Sequence, residues 1–130
     1  MGMTTPIGIL IALRAVKRLK PYGLLWLAPP CSSWVWVSRS VSRRSRTNVL
    51  GDVGSAWVRD ANKTASRLAD LIMLASLLGV YIIIEQPISS LLWLHPRMRR
   101  ALRLIGARKV CVQLWAFGSP SSKPIHLVRV

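Results

Sequence analysis

The sequence predicts an α/β fold built around one open sheet, and three observations carry that reading. Helical and strand-like periodicities alternate along the chain. The strand-like runs are short, apolar and continuous, as in parallel strands covered on both faces. The last two such runs are separated by a loop rich in Gly, Ser and Pro, which marks a hairpin. The expected order is helix, strand, helix, strand, helix, strand, strand. That order gives a three-layer sheet, mostly parallel, with right-handed crossovers and a C-terminal antiparallel hairpin. A length of 130 residues, 52% of them hydrophobic, suits a single domain over 1–130 with a packed core.

The first element is an amphipathic helix over residues 6–20. Ile9, Leu10, Leu13 and Val16 recur at helical spacing, and Arg14, Lys17 and Arg18 form a basic stripe. Pro21, Tyr22 and Gly23 end it. Residues 24–28 form a short apolar run stopped by Pro29 and Pro30, as a buried strand would be. Residues 31–54 hold many Ser, Arg and Gly and read as one long basic loop, a feature that in compact domains is functional or disordered. Trp57, Ala61, Ala65, Leu68, Ile72, Ala75 and Leu78 predict a helix over 55–78, with Gly79 as its C-cap. Residues 80–84 make the next strand, with Glu85 at its carboxyl end. A helical segment follows from Ser89, restarts at Pro96 and runs to Ile105, turning Arg97, Arg99, Arg100 and Arg103 to solvent. Residues 109–117 and 125–130 are the two strands of the hairpin.

Nineteen Lys and Arg stand against four acidic residues, a formal net charge of +15. Such a balance calls for a polyanion. Nucleic acid comes first, because neutralising phosphates releases counterions, and an anionic membrane surface second. A merely solvated basic surface is the blander alternative, at the cost of self-repulsion in a lone compact domain. The longest apolar run, 71–84, has 14 residues, contains Gly79 and is flanked by Asp70 and Glu85. A spanning helix needs about 18 or more, so a membrane partner ranks last. Cys31 and Cys111 stand in unlike contexts and no secretory signal opens the sequence. An intracellular, reducing compartment is expected, the nucleus included.

Two motifs carry chemistry. Pro30 and Cys31 follow one hydrophobic strand, with Trp34 close behind, and Ile84, Glu85, Gln86 and Pro87 end the next. Ser90 and Trp93 come after Glu85, and Phe117, Gly118, Lys123, Pro124 and Ile125 make a strand-turn-strand. Together, over residues 24–130, these resemble the cytosine-C5 methyltransferase family. They match its Pro-Cys nucleophile loop, its Glu-Asn motif, and the Tyr-Gly and Lys-Pro-Thr ending of divergent phage-type members. Gln86 stands where the family has Asn.

The resemblance implies a Rossmann-like methyltransferase sheet, present here as a truncated domain that carries the catalytic-loop half. Cys31 would be the nucleophile and Glu85 the acid. Cytosine is a poor carbon nucleophile until a thiolate adds to C6, and the negative charge pushed into the ring must be met at N3 by a carboxyl group. A base hidden in a duplex must be flipped out or presented single-stranded. Arg39, Arg43, Arg44 and Arg46 would then hold the backbone, with Trp34 and Trp36 as stacking platforms and DNA ahead of RNA as the partner.

Blander readings stand beside these. A cysteine at a turn is most often a small apolar residue. Glu85 is the only glutamate and ends the most hydrophobic segment, so its plain alternative is a salt bridge to an arginine. His95 reads as a helix-capping or surface residue. His126 and the separated cysteines have no metal-site spacing, so no metal is expected. Cys111, Trp57, Trp93 and Trp115 are expected in the core, and Arg59, Asn62 and Arg67 on the solvent side of the long helix.

The family's methyl donor, S-adenosylmethionine, sits against a Gly-rich loop and an acidic residue upstream of Pro-Cys. The 30 residues ahead of Cys31 contain no Gly-x-Gly pattern and no acidic residue. No donor-binding residue is assigned, and a second chain is expected to supply that site. The family's Gln-x-Arg-x-Arg segment is also not found, and Arg97 and Arg99 are not assigned to it. Besides a methyltransferase-like fragment, two classes stay open: a non-catalytic basic nucleic-acid-binding module and, last, a membrane-associated protein.

Overall fold

The computed structural model describes residues 2–120 and 124–129, the side chain of Arg129 excepted. Helix α1 (Pro6–Lys17) begins where Thr5 Oγ1 accepts a hydrogen bond from the Gly8 amide at 3.0 Å, with Pro6 in the first turn, where an amide hydrogen has no helical partner. Strand β1 (Leu24–Leu27) follows. The long connection after it is not structureless: it contains a 3-10 turn (Trp36–Ser38) and the one-turn helix α2 (Arg39–Ser42). Helix α3 (Ala56–Leu77) ends at Gly79, whose φ of +70° suits a residue without a Cβ, and feeds β2 (Tyr81–Pro87). A 3-10 turn (Leu91–Leu94) precedes α4 (Pro96–Leu104), and the chain closes with β3 (Arg108–Gln113), a 3-10 turn (Leu114–Phe117) and β4 (Pro124–Arg129).

The fold is α/β with one open four-stranded sheet in the order β1-β2-β4-β3. β1 runs parallel to β2, with Leu24 opposite Tyr81 and Leu27 opposite Ile84. β4 is antiparallel to both β2 and β3. β1, β2 and β3 therefore share one direction, and β4 is the reversed strand. The sheet is mixed, with one parallel pairing and two antiparallel ones, which corrects the expectation of a mostly parallel sheet. The hairpin exists, but its second strand lies inside the sheet. The reason is composition: β4 brings Ile125 and Val128 into the buried set, whereas β3 carries Arg108 and Lys109, is exposed along most of its length, and suits an edge.

All the helical packing is on one face. Leu68, Ile72 and Ala75 of α3, Val16 of α1, and Met98 and Ala101 of α4 meet Ile82, Ile84 and Val128 of the sheet. The alternate residues of the strands point the other way, and there Leu24, Trp26, Tyr81 and Val110 are exposed. Among the described residues two layers are formed, and no helix covers that second face. The continuous run Val80–Ile84 suggested cover on both faces, yet burial along β2 alternates strictly.

Candidate functional site

The Pro-Cys loop and the end of β2 are tied together. Leu27 is opposite Ile84, so the chain leaves β1 alongside Glu85. Gln86 then donates from Nε2 to the Pro29 carbonyl at 2.6 Å and accepts from Ser90 Oγ at 2.8 Å. The Leu91 amide donates to the Trp34 carbonyl at 2.9 Å, and the Cys31 carbonyl accepts from the Trp34 amide at 2.8 Å. Glu85 lies within β2, two residues before its end, rather than just beyond it. In the motif Gln86 is only a departure from Asn. Its signal was its parity: it shares the face of Ile82 and Ile84, is 1% exposed, and a polar residue there needs partners.

Arg44 organises the long loop from inside. It is 2% exposed, with its guanidinium 3.6 Å from the Trp34 ring centroid. Nε donates to the Ser33 carbonyl at 2.9 Å and to its hydroxyl at 3.0 Å. Nη1 donates to the Val49 carbonyl at 2.6 Å and Asn62 Oδ1 at 2.8 Å, and Nη2 to the Val58 carbonyl at 3.3 Å. Carbonyl dipoles, with no carboxylate, solvate the charge. Burial lowers its pKa to about 10, which leaves it a cation at neutral pH.

Arg44 and Trp34 thus face inward, which corrects their expected places on a nucleic-acid surface. A cation stacked on an aromatic ring and saturated by carbonyls is a packing device. Arg43 and Arg46 are exposed and Arg39 is half-buried. Trp36, 65% exposed and 5.9 Å from the Arg39 guanidinium, is the available aromatic platform. Three polar residues expected to face solvent on α3 also hold other segments. Asn62 Nδ2 donates to the Leu50 carbonyl at 2.9 Å, Arg59 to the Val53 and Gly54 carbonyls, and Arg67 to the Met3 and Thr5 carbonyls.

Cys31 is a half-buried free thiol. Glu85 is half-buried on the helix-free face, opposite Leu127, and its carboxylate has no hydrogen-bond or ion-pair partner among the described residues. The alternative of a salt bridge to an arginine is not formed there. Beside the loop, Pro29, Pro30, Ser32, Trp57, Asp60 and Thr64 help line a cleft of about 170 Å³ against α3. Neither Cys31 nor Glu85 lines it. Lys123 of the strand-turn-strand motif lies outside the described residues.

Several core expectations change as well. Cys111 is exposed on edge strand β3, and Trp57 and Trp115 are 39% and 57% exposed, whereas Trp93 is buried as expected. His95 is the N-cap residue of α4, as expected, but caps through its backbone carbonyl and not its side chain, and it is no surface residue: it is 3% exposed and edge-on to Trp34. The arginines of α4 face solvent, and Arg97 pairs with Asp70 at 2.6 Å.

His95 predicts a pH dependence of stability. Burial, then the Arg44 and Arg97 charges, lower its pKa from 6.5 to about 4. Between those values the unfolded chain binds a proton that the native state does not, so stability is complete above pH 6.5 and falls as the pH drops towards 4. The loss reaches roughly 3 kcal/mol. Denaturant titrations across this window should show a shallower fall for His95→Leu than for the wild type, and an equal fall in both would refute the assignment. His126, lowered by burial and then by Lys109, acts in the same direction and is common to both proteins.

No protein-family profile, curated protein or solved structure matches this chain. Among the described residues no helix is long and apolar enough to cross a membrane, and no three His, Cys, Asp or Glu side chains group as metal ligands would.

Proposed function

We propose that this chain is the base-handling half of a cytosine-C5 methyltransferase-like domain of Rossmann-like, three-layer design, acting on nucleic acid, DNA before RNA, in an intracellular compartment such as the nucleus. The observation that supports it best is the clip made by Gln86, which joins the Pro-Cys loop to the Glu-containing strand at one carboxyl edge of parallel strands. In this reading the Cys31 thiolate adds to C6 of the base: its electron pair forms the S–C6 bond, and the C5=C6 π pair is displaced onto C5 and, through C4, onto N3. Glu85 hydrogen-bonds or protonates N3. An unpaired, half-buried carboxylate is suited to that task. Arg39, Arg43 and Arg46 with exposed Trp36 hold the nucleic acid backbone and bases.

S-adenosylmethionine does not fit the residues described. Its amino group and ribose call for carboxylates and a close-approaching Gly-rich loop; no such loop follows β1, and the carboxylate in the neighbouring cleft is that of Asp60 on α3. Asp70 is paired with Arg97, and Asp52 Oδ1 accepts from the Gly54 amide. No methyl-transfer step is therefore assigned to this chain. The free edge of β1 and the helix-free face with exposed Leu24, Trp26 and Tyr81 are where a second chain bearing the donor half would extend and cover the sheet.

A DNA oligonucleotide containing 2-pyrimidinone tests the nucleophile without any donor, because this base accepts a thiolate at C6 and a proton at C5. Denaturing mass spectrometry should find an adduct that disappears in Cys31→Ser. Glu85→Gln should slow it by about a hundredfold. Absence of any adduct, or an adduct that survives Cys31→Ser, would reject the catalytic reading. One observation favours a second reading, a nucleic-acid-binding module without chemistry: Glu85 lies on the helix-free face, while Pro30 and Ser32 line the cleft against α3. That module would bind DNA with a steep salt dependence indifferent to Cys31→Ser and Glu85→Gln.

A further inference from the structure

A second cleft, of about 530 Å³, lies between α2, the turn after β2 and the β3–β4 pair. Arg39, Arg46, Lys109 and His126 line it, and no acidic residue does. Its floor includes Trp93, 8% exposed, whose indole Nε1 is buried and has no hydrogen-bond partner among the described residues. Arg39 Nε and His126 Nδ1 are buried and unpartnered in the same way. An indole and a guanidinium can only donate. Two buried donors without acceptors, ringed by cations, lack one thing: an acceptor-rich anion.

We infer that this cleft is a binding site for a phosphate group. Arg46 and Lys109 neutralise its charge, and Trp93 Nε1 and Arg39 Nε, closed to solvent when the cleft is empty, donate to its oxygens once the lining side chains shift to admit it. Carboxylates do not compete, and charge-assisted hydrogen bonds to phosphate are the stronger kind. The site needs neither Cys31 nor Glu85. It rests on the proposed nucleic-acid partner only for the source of the phosphate, a phosphodiester backbone as against a free phosphate.

The test follows the six indole N–H signals of the full chain by NMR, with that of Trp93 assigned through Trp93→Phe. Inorganic phosphate, a short single-stranded DNA and, as a control, chloride at matched ionic strength are titrated separately. The Trp93 signal should move with phosphate, with DNA or with both, and not with chloride. Movement with phosphate alone identifies a free-phosphate site, and movement with DNA identifies the backbone as the source. Arg39→Gln and Lys109→Gln should each weaken that binding by roughly tenfold, and for DNA reduce the salt slope by about one. A Trp93 signal unmoved by both probes, an equal response to chloride, or unchanged affinity in both variants overturns the site. The variants alter partly exposed side chains, so folding is not at stake. Failure of the pyrimidinone adduct would leave this result untouched.

Discussion

Replacing Arg44 by methionine is expected to lower the unfolding free energy by about 3 to 5 kcal/mol, a large share of the roughly 5 to 15 kcal/mol that holds an ordinary domain folded. Methionine fills much of the volume and relieves the desolvation of a buried cation. It also leaves the carbonyls of Ser33, Val49 and Val58 and Asn62 Oδ1 without their donor. Each buried acceptor left empty costs about 1 to 3 kcal/mol, and several at once outweigh the relief. The stack on Trp34 is lost too. Arg43→Met, one residue away and exposed, should change stability by no more than about 0.5 kcal/mol. Urea denaturation of the two variants checks the contrast, and similar midpoints would show that the loop does not depend on Arg44. Gly51 adds to the same knot: its φ is +68°, and a Cβ there would come within 2.4 Å of the Ser42 carbonyl.

Gln86→Leu should cost about 2 to 4 kcal/mol and loosen the Pro-Cys loop. Leucine keeps the buried volume but strands the Pro29 carbonyl and the Ser90 hydroxyl, which Gln86 now bridges. The structural consequence is local. Amide exchange at Trp34 and Leu91, whose backbone bonds join the loop to the following turn, should accelerate more than exchange in the middle of α3. Uniform acceleration would mean only global destabilisation. Gln86→Asn, the residue of the resembled family, keeps both bonding groups on a shorter arm and should fall between the two.

Elements were legible wherever a period recurs. The α3 helix follows its heptad-like spacing to within a residue at each end, and Gly79 stops it as a C-cap should. Individual burial was less legible. Trp34 and Trp36, two residues apart in the same loop, have opposite fates, buried and exposed. Nothing periodic distinguishes residues in an irregular segment; the decision lies with Arg44, which meets only one of the two rings. Arg44 likewise carried no mark among its neighbours Arg39, Arg43 and Arg46. A cation becomes structural only when carbonyls from three separate segments converge on it.

What the sequence by itself determined is the alternation of helices and strands, the excess of positive charge, and the presence of a Pro-Cys turn and a Glu-Gln-Pro strand end in that order. These follow from local periodicity, turn chemistry and composition, which act over a few residues. Only the tertiary structure decided that β4 enters between β2 and β3, that one sheet face carries no helix, that Gln86 joins the two motifs, and that Trp93 and Arg39 leave buried donors beside Arg46 and Lys109. Strand order and burial depend on which apolar surfaces meet across long stretches of chain, and local pattern does not encode those meetings.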